Sequence, residues 1–323
     1  EAGDLIGVPL LLSLALLGGL PAWWLWRTPL RALPAAAQAL RNVAVLMLAL
    51  WLAGGLGVLN FASLSATMRN HKALRYMVNP ANSVYALGRL AVQRGVRPAA
   101  AAEAIGADAA APARRADGKP PLLMLVVGET ARADHFSLNG YARPTNAETA
   151  ARGAIGFSRV SACGTSTAAS LPCMFSHLGR ERFEARSHDY QNLLDVAQRA
   201  GLAVLWLDNQ AGCKGVCARV PNVETGNLKH PTLCSDGECW DPIMLDGLDA
   251  RIAALPAAQR DKGVLLVLHQ MGSHGPAYHK RVPPAFKRFM PECSTNNLQD
   301  CSREQLVSAY DNTIAYTDHF LAQ

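Results

Sequence analysis

Residues 122–132 read LLMLVVGETAR, an apolar run without helical period that stops abruptly on Gly128-Glu129-Thr130. Such a run predicts a buried parallel strand. Open α/β sheets carry their sites at the C-terminal ends of the strands, so the glycine turn delivers the Glu129 carboxylate to that edge. Working outward, two further apolar runs predict strands at 203–207 and 264–269, and helical patterns fall at 171–178, 190–200, 242–255 and 303–322. This alternation predicts a mainly parallel α/β sheet covered on both faces.

A second unusual segment follows the first strand. Residues 163–173 read CGTSTAASLPC, with hydroxyls crowded between two cysteines. Thr167 lies just before the apolar, Pro-containing stretch 168–178, which places its hydroxyl near a helix N-terminus, where backbone N–H groups favour an anion. A threonine is a poor nucleophile unless a metal or a base takes its proton, so Glu129, a hard oxygen ligand, and Thr167 together point to a metal-assisted hydroxyl nucleophile. Each has a plainer reading: Glu129 as an acid facing a helix dipole, and Thr165, Ser166 and Ser170 as helix caps. The third strand exit, HQMGSHGP from His269, offers His274 to the same cleft as a metal ligand or phosphate partner. The second, Asp208-Asn209-Gln210 followed by Lys214, offers polar contacts to a charged substrate, or a solvated turn.

The chain of 323 residues is 50% hydrophobic and only 17% charged, which points to membrane attachment. Residues 5–26 and 43–64 contain no charged side chain. At 1.5 Å per residue each crosses a hydrocarbon core of roughly 30 Å. Glu1 and Asp4 are acidic where a cleaved signal peptide is basic, and Trp23, Trp24 and Trp26 suit a membrane interface. Two membrane spans are therefore expected. Residues 65–97 mix Arg69, Lys72, Arg75, Arg89 and Arg94 with apolar positions, which suits amphipathic helices on the membrane surface, broken at Asn79-Pro80, or an ordinary packing helix. An Ala/Pro-rich linker runs to residue 121, and a globular domain occupies 122–323. No nucleotide-binding glycine loop is present. The net charge of +6 and pI near 9.0 suit anionic lipid head groups better than nucleic acid in such a chain.

All eight cysteines follow the membrane segment in four close pairs: Cys163 with Cys173, Cys213 with Cys217, Cys234 with Cys239, and Cys293 with Cys301. Local pairs suggest short-loop disulfides and an oxidising compartment. A zinc site built from Cys213, Cys217, Cys234 and Cys239 is the alternative.

The stretches VVGETARADHFSLNGYARPTN, CGTSTAASLPCMFSHLG, DNQAGCKGVCARVPN and LHQMGSHGPAYHKR resemble the membrane-anchored phosphoethanolamine transferases that modify lipid A. These include the colistin-resistance enzymes and belong to the alkaline phosphatase and sulfatase superfamily. The resemblance implies Zn2+ as cofactor, with Glu129 as a zinc ligand and Thr167 as both ligand and the residue that carries phosphoethanolamine. It places His274, Lys214 and Gln210 against the substrate, although Gln210 stands where some members have asparagine. It implies phosphatidylethanolamine as donor, lipid A as acceptor, polymyxin resistance as outcome, and a monomer in the bacterial inner membrane, multi-pass, with its catalytic domain in the periplasm. A glycerol-phosphate transferase or a sulfatase of the same superfamily is the sister reading. The resemblance further implies a chain that opens within the later membrane helices and stops before an Asp-His-Gly-Glu segment. A catalytically incomplete membrane-tethered piece that binds zinc poorly is thus the reading from a different class.

Overall fold

The computed structural model describes residues 15–28, 34–70, 83–84, 86–88, 102–111, 118–235 and 237–323, and divides the chain into two compact units, 1–74 and 75–323.

In the first unit a π-helical turn, Ala15–Gly19, leads into α1, Leu20–Arg27. Residues 5–14 of the first expected span lie outside the described residues. Helix α2, Ala35–Leu59, is long and apolar enough to cross a membrane, and its side chains face outward with none buried. It begins eight residues before the charge-free window, directly after Pro34, whose fixed φ suits a helix start. It ends at Asn60, and α3, Phe61–Asn70, follows. The expected break at Asn79-Pro80 falls outside the described residues.

The second unit is built on a four-stranded parallel sheet. Its strands are β1, Leu122–Val127; β2, Ala203–Asp208; β3, Asn222–Glu224; and β6, Val264–His269, in the order β1-β6-β2-β3. Strands β4, Cys234–Ser235, and β5, Glu238–Cys239, form a separate antiparallel hairpin. Helices α4, Ala147–Ala151; α5, Thr167–Met174; α6, Leu193–Arg199; α7, Leu248–Ala253; and α8, Arg303–Leu321, complete the elements used below.

Alternation along β2 and β6 feeds two cores. Val204, Trp206, Leu265 and Val267 pack with Leu171, Phe175, Leu194 and Ala197 around α5 and α6. Ala203, Leu205, Leu207, Leu266 and Leu268 pack with Ile243, Met244, Leu255 and Phe320 of α8. Both faces of the central strands are covered, as the continuous apolar runs require. Fully burying one such leucine stabilises the fold by about 1.5–3 kcal/mol. The first strand differs from expectation. Among the described residues β1 pairs only with β6, so Leu122, Leu123 and Met124 are exposed and burial is complete only at Val127.

The helix boundaries also shift for identifiable reasons. Asn192 caps α6 in a capping box with Asp195, so the helix starts there and not at 190. The stretch expected as one helix over 242–255 is a 3₁₀ turn, Asp241–Met244, and then α7, because Gly247 sits in the left-handed region at φ +63° between them. Part of the expected linker is tied to this unit. Glu103 bridges Tyr190 in parallel, its amide donating to Asp189 O at 2.9 Å.

Candidate active site

The sheet's C-terminal edge gathers the three loops named from sequence. Beyond Val127 the chain turns through Gly128, and Glu129 projects from the end of β1. Thr130 follows at φ +54°, an uncommon conformation for a non-glycine residue. The Thr167 hydroxyl donates to Glu129 Oε2 at 2.9 Å, and the Thr130 hydroxyl donates to Oε1. Residues 38 apart in sequence are thereby joined at one point. Thr167 is the first residue of α5, four positions ahead of the expected start, with extended Ser166 at the N-cap position. The Ser166 side chain makes no capping bond, so capping does not account for it. The positive end of the helix dipole lies at Thr167, where it favours negative charge on the hydroxyl oxygen. The Cys163–Cys173 disulfide joins the preceding loop to α5, and Gly164 packs so closely that an added Cβ would lie 3.1 Å from Ala169 Cβ.

The loop after β6 closes on the first. Gly272, at φ +48°, passes so near Glu129 that a Cβ there would sit 3.0 Å from the Glu129 carbonyl oxygen and 3.2 Å from its nitrogen. The next amide, Ser273 N–H, donates to Glu129 O at 3.0 Å. His274 is half-buried beside this contact, and its carbonyl accepts from Arg281 Nε at 2.9 Å. Beneath the loop Asp241 accepts from Met271 N–H at 2.7 Å, Gly272 N–H at 3.0 Å and Asn209 Nδ2 at 2.9 Å. Burial pushes its carboxyl up, against the pull of those donors.

The loop after β2 stands at the same edge. Asp208 is buried, which alone would raise its carboxyl; hydrogen bonds from His269 Nδ1 at 3.0 Å and Trp206 Nε1 at 2.9 Å outweigh this and hold it below the usual range. His269 is thus tied to the strands through Nδ1, while its Nε2 is buried without a hydrogen-bond partner. The Gln210 side chain turns back to accept from Ala211 N–H, and Lys214 Nζ donates to Ala211 O. Among the described residues neither bonds to Glu129 or Thr167. The structure therefore brings Glu129, Thr167 and the His274 loop together and leaves Gln210 and Lys214 on an adjoining loop.

Four disulfides join the eight cysteines in the expected pairs, Cys163–Cys173, Cys213–Cys217, Cys234–Cys239 and Cys293–Cys301. This rules out the alternative zinc site on Cys213, Cys217, Cys234 and Cys239. The oxygen pair of Glu129 and Thr167 suits a hard or borderline divalent cation as a partial ligand set. Among the described residues there is no group of three or more His, Cys, Asp or Glu side chains placed to hold one.

Sequence reasoning missed the support behind these loops. The Tyr310 hydroxyl on α8 donates to Thr130 O at 2.7 Å and accepts from Arg132 N–H at 2.8 Å. Its neighbour Asp311, fully buried, accepts from His135 Nδ1 at 2.6 Å, Tyr141 Oη at 2.8 Å and Arg143 Nη1 at 3.0 Å. The only sequence signal is a polar run, YDNT, in a helix otherwise patterned for burial.

Known proteins resemble the chain along nearly its whole length. The family description "Sulfatase" matches residues 121–323, and "Phosphoethanolamine transferase EptA/EptB" matches residues 1–94. Phosphoethanolamine transferase EptA of Salmonella typhimurium is 40% identical over 332 residues, 99% of this chain and 58% of that protein. Phosphatidylethanolamine transferase Mcr-1 of Escherichia coli is 42% identical over 279 residues, 83% of this chain and 51% of its own length. The chain thus spans between half and three-fifths of these two relatives. Among solved structures, the integral membrane lipooligosaccharide phosphoethanolamine transferase A (EptA) of Neisseria meningitidis superposes with a TM-score of 0.67 at 35% identity, covering 99% of this chain and 59% of that one. The soluble domain of the same Neisseria enzyme gives 0.63 at 43% identity, covering 69% and 66%.

Proposed function

The chain belongs to the sulfatase family, and on that scaffold we propose transfer of phosphoethanolamine from phosphatidylethanolamine to a phosphate of lipid A, with Thr167 as the nucleophile. The observation that carries this reading is the 2.9 Å hydrogen bond from the Thr167 hydroxyl to Glu129 at a helix N-terminus. It aligns the proton's exit on the carboxylate and leaves an oxygen lone pair free to attack.

In the first half-reaction the Thr167 oxygen bonds to phosphorus, the bond from phosphorus to diacylglycerol breaks, and the departing alkoxide takes up a proton. In the second, an oxygen of the lipid A phosphate attacks the same phosphorus, and Thr167 leaves and regains its proton. Zn2+, held in part by Glu129 and Thr167, would supply a Lewis acid that lowers the hydroxyl pKa and polarises the phosphoryl oxygens. His274, on the loop whose Ser273 amide bonds to Glu129 O, would partner phosphoryl oxygens, with Lys214 and Gln210 at the substrate's periphery. The Cys163–Cys173 bridge holds the nucleophile's loop in place, as preorganised chemistry requires.

The wider setting follows from the same reading. The membrane-spanning α2 and residues 1–64 tether the domain 122–323 to the bacterial inner membrane as a monomeric, multi-pass protein, with 65–121 connecting the two. The four disulfides support a periplasmic domain. Tethering raises the effective concentration of both lipids at the site. The added amine offsets the anionic charge to which polymyxins bind, which would give resistance.

The test is transfer of labelled ethanolamine phosphate from phosphatidylethanolamine to lipid A by the full-length protein. Labelled lipid A with the parent and none with Thr167→Ala is expected. Undiminished transfer by Thr167→Ala would remove the nucleophile, label on a glycan would change the acceptor, and no movement of label out of phosphatidylethanolamine would redirect the reading to a sister enzyme that uses another donor.

A further inference from the structure

Helix α8 grips both loops of the site from behind. Tyr310 Oη bonds to Thr130 O at 2.7 Å and to Arg132 N–H at 2.8 Å, so one hydroxyl brackets the left-handed Thr130 immediately after Glu129. One helical turn further on, Thr313 Oγ1 lies 2.6 Å from Tyr310 O and 2.7 Å from Ser273 Oγ. A carbonyl only accepts and a hydroxyl holds one proton, so with Thr313 donating to Tyr310 O, the Ser273 hydroxyl donates to Thr313. Ser273 in turn grips Glu129 through its amide, at 3.0 Å from the Glu129 carbonyl oxygen. The Tyr310 ring also stands edge-on to Tyr278, with centroids 5.6 Å apart. The Tyr278 hydroxyl fills the space over Gly275, where an added Cβ would lie 2.7 Å from it.

These contacts converge on the backbone on either side of one carboxylate. A non-glycine residue held at positive φ relaxes unless its surroundings over-determine it, and relaxation of Thr130 would swing Glu129 away from Thr167. The geometry points to Tyr310 and Thr313 as positioning residues: from α8 they fix Glu129 against Thr167 and the His274 loop, and thereby set the affinity and reactivity of that oxygen pair. Neither side chain bonds to the Glu129 carboxylate or the Thr167 hydroxyl, so their effect is exerted through the loops. The inference rests on the proposed role of Glu129 and Thr167 as zinc ligand and nucleophile.

Zinc alone is the probe. The full-length protein, Tyr310→Phe, Thr313→Val and Thr313→Ser are titrated with zinc against a chromophoric chelator, and transfer to lipid A is measured in parallel. Tyr310→Phe keeps the ring on Tyr278 and loses both hydrogen bonds. Partners of this kind behind a ligand typically change metal affinity or activity by about 10- to 100-fold. The expected result for Tyr310→Phe and Thr313→Val is a loss of zinc affinity of that order, with kcat falling and KM retained. Thr313→Ser, which keeps the hydroxyl, should match the parent. Zinc affinity within about twofold of the parent in both variants overturns the inference, as does a parent that binds no zinc. Should Tyr310→Phe fail to fold, the contrast between Thr313→Val and Thr313→Ser decides alone. Weakened zinc binding in a protein that transfers nothing to lipid A would uphold the positioning role and refute the proposed transfer.

Discussion

Replacing Asp311 by alanine should be among the most damaging single changes in the domain. The carboxylate is fully buried and takes three donors from the segment 135–143, namely His135 Nδ1, Tyr141 Oη and Arg143 Nη1. Hydrogen bonds to a charged group contribute about 1.5–3 kcal/mol each, so simple addition would give roughly 4.5–9 kcal/mol. Two features reduce that figure. Arg143 keeps a third of its side chain in water and can be resolvated once its partner is gone. Burying Asp311 is itself costly, and its removal recovers that cost. Stranding the partners of a buried charge costs about 3–5 kcal/mol in comparable cases, and that is the expected loss here. At about 2–4 °C per kcal/mol for a domain of this size, the melting temperature should fall by roughly 10 °C. Tyr141→Phe removes one donor alone and should cost about 1.5–3 kcal/mol. The assay is thermal and urea unfolding of the full-length protein in detergent, followed by circular dichroism. If Asp311→Ala unfolds within about 0.5 kcal/mol of the parent, α8 does not anchor the post-β1 segment and the reasoning fails.

Other perturbations probe the remaining links. Replacing Cys163 and Cys173 by serine opens a short loop and should lower stability by about 2–3 kcal/mol. The loss of transfer should exceed what that destabilisation explains, which activity measured well below the melting temperature will show. Leu266→Ala, fully buried on the α8 side of the sheet, should cost about 2–5 kcal/mol in urea unfolding while leaving zinc affinity intact. Acid should weaken the fold in part through Asp195. Burial opposes its ionisation, but paired bonds from Arg219 at 2.6 and 2.7 Å hold the carboxyl below its usual range. A carboxyl lowered on folding contributes stability that is present above its unfolded value of about 4 and is lost as pH falls through the folded value. Urea midpoints measured against pH should fall on that limb, and Asp195→Asn should flatten it. An unchanged slope would show that the pair contributes nothing, since Arg219 is partly solvated.

The parts of the fold legible in sequence were those set by local chemistry. The runs of β2 and β6 were legible because uninterrupted apolar strands are stable only when both faces are covered, and that of β1 because Gly128 marks where it must turn. The disulfides were legible because cysteines a few residues apart have few other partners. The start of α5 is hard to place because its polar first turn reads as loop until Ser166 is seen at the boundary, and that of α6 because Gln191 and Asn192 read as helix until Asn192 is seen as its cap. Burial of β1 was overestimated because an apolar run does not reveal how many neighbours a strand has.

The site was legible in its chemically distinctive residues and opaque in its scaffolding. Glu129 and Thr167 stood out because a carboxylate after a strand and a hydroxyl-rich helix start are unusual. Their direct contact lies on the tertiary level, 38 residues apart. Tyr310 meets Thr130 across 180 residues, and Asp311 meets His135 across 176. A polar run in a helix reads from sequence as a solvated face. Only the fold turns it inward.

The central claim is that Thr167 carries the transferred group. Its most direct test is mass spectrometry of the Thr167-bearing peptide from full-length protein incubated with phosphatidylethanolamine and no acceptor. The account predicts one ethanolamine phosphate on Thr167, discharged on adding lipid A and absent from the Glu129→Gln variant. An unmodified Thr167 in protein that still turns over, or an adduct on another residue, would contradict it.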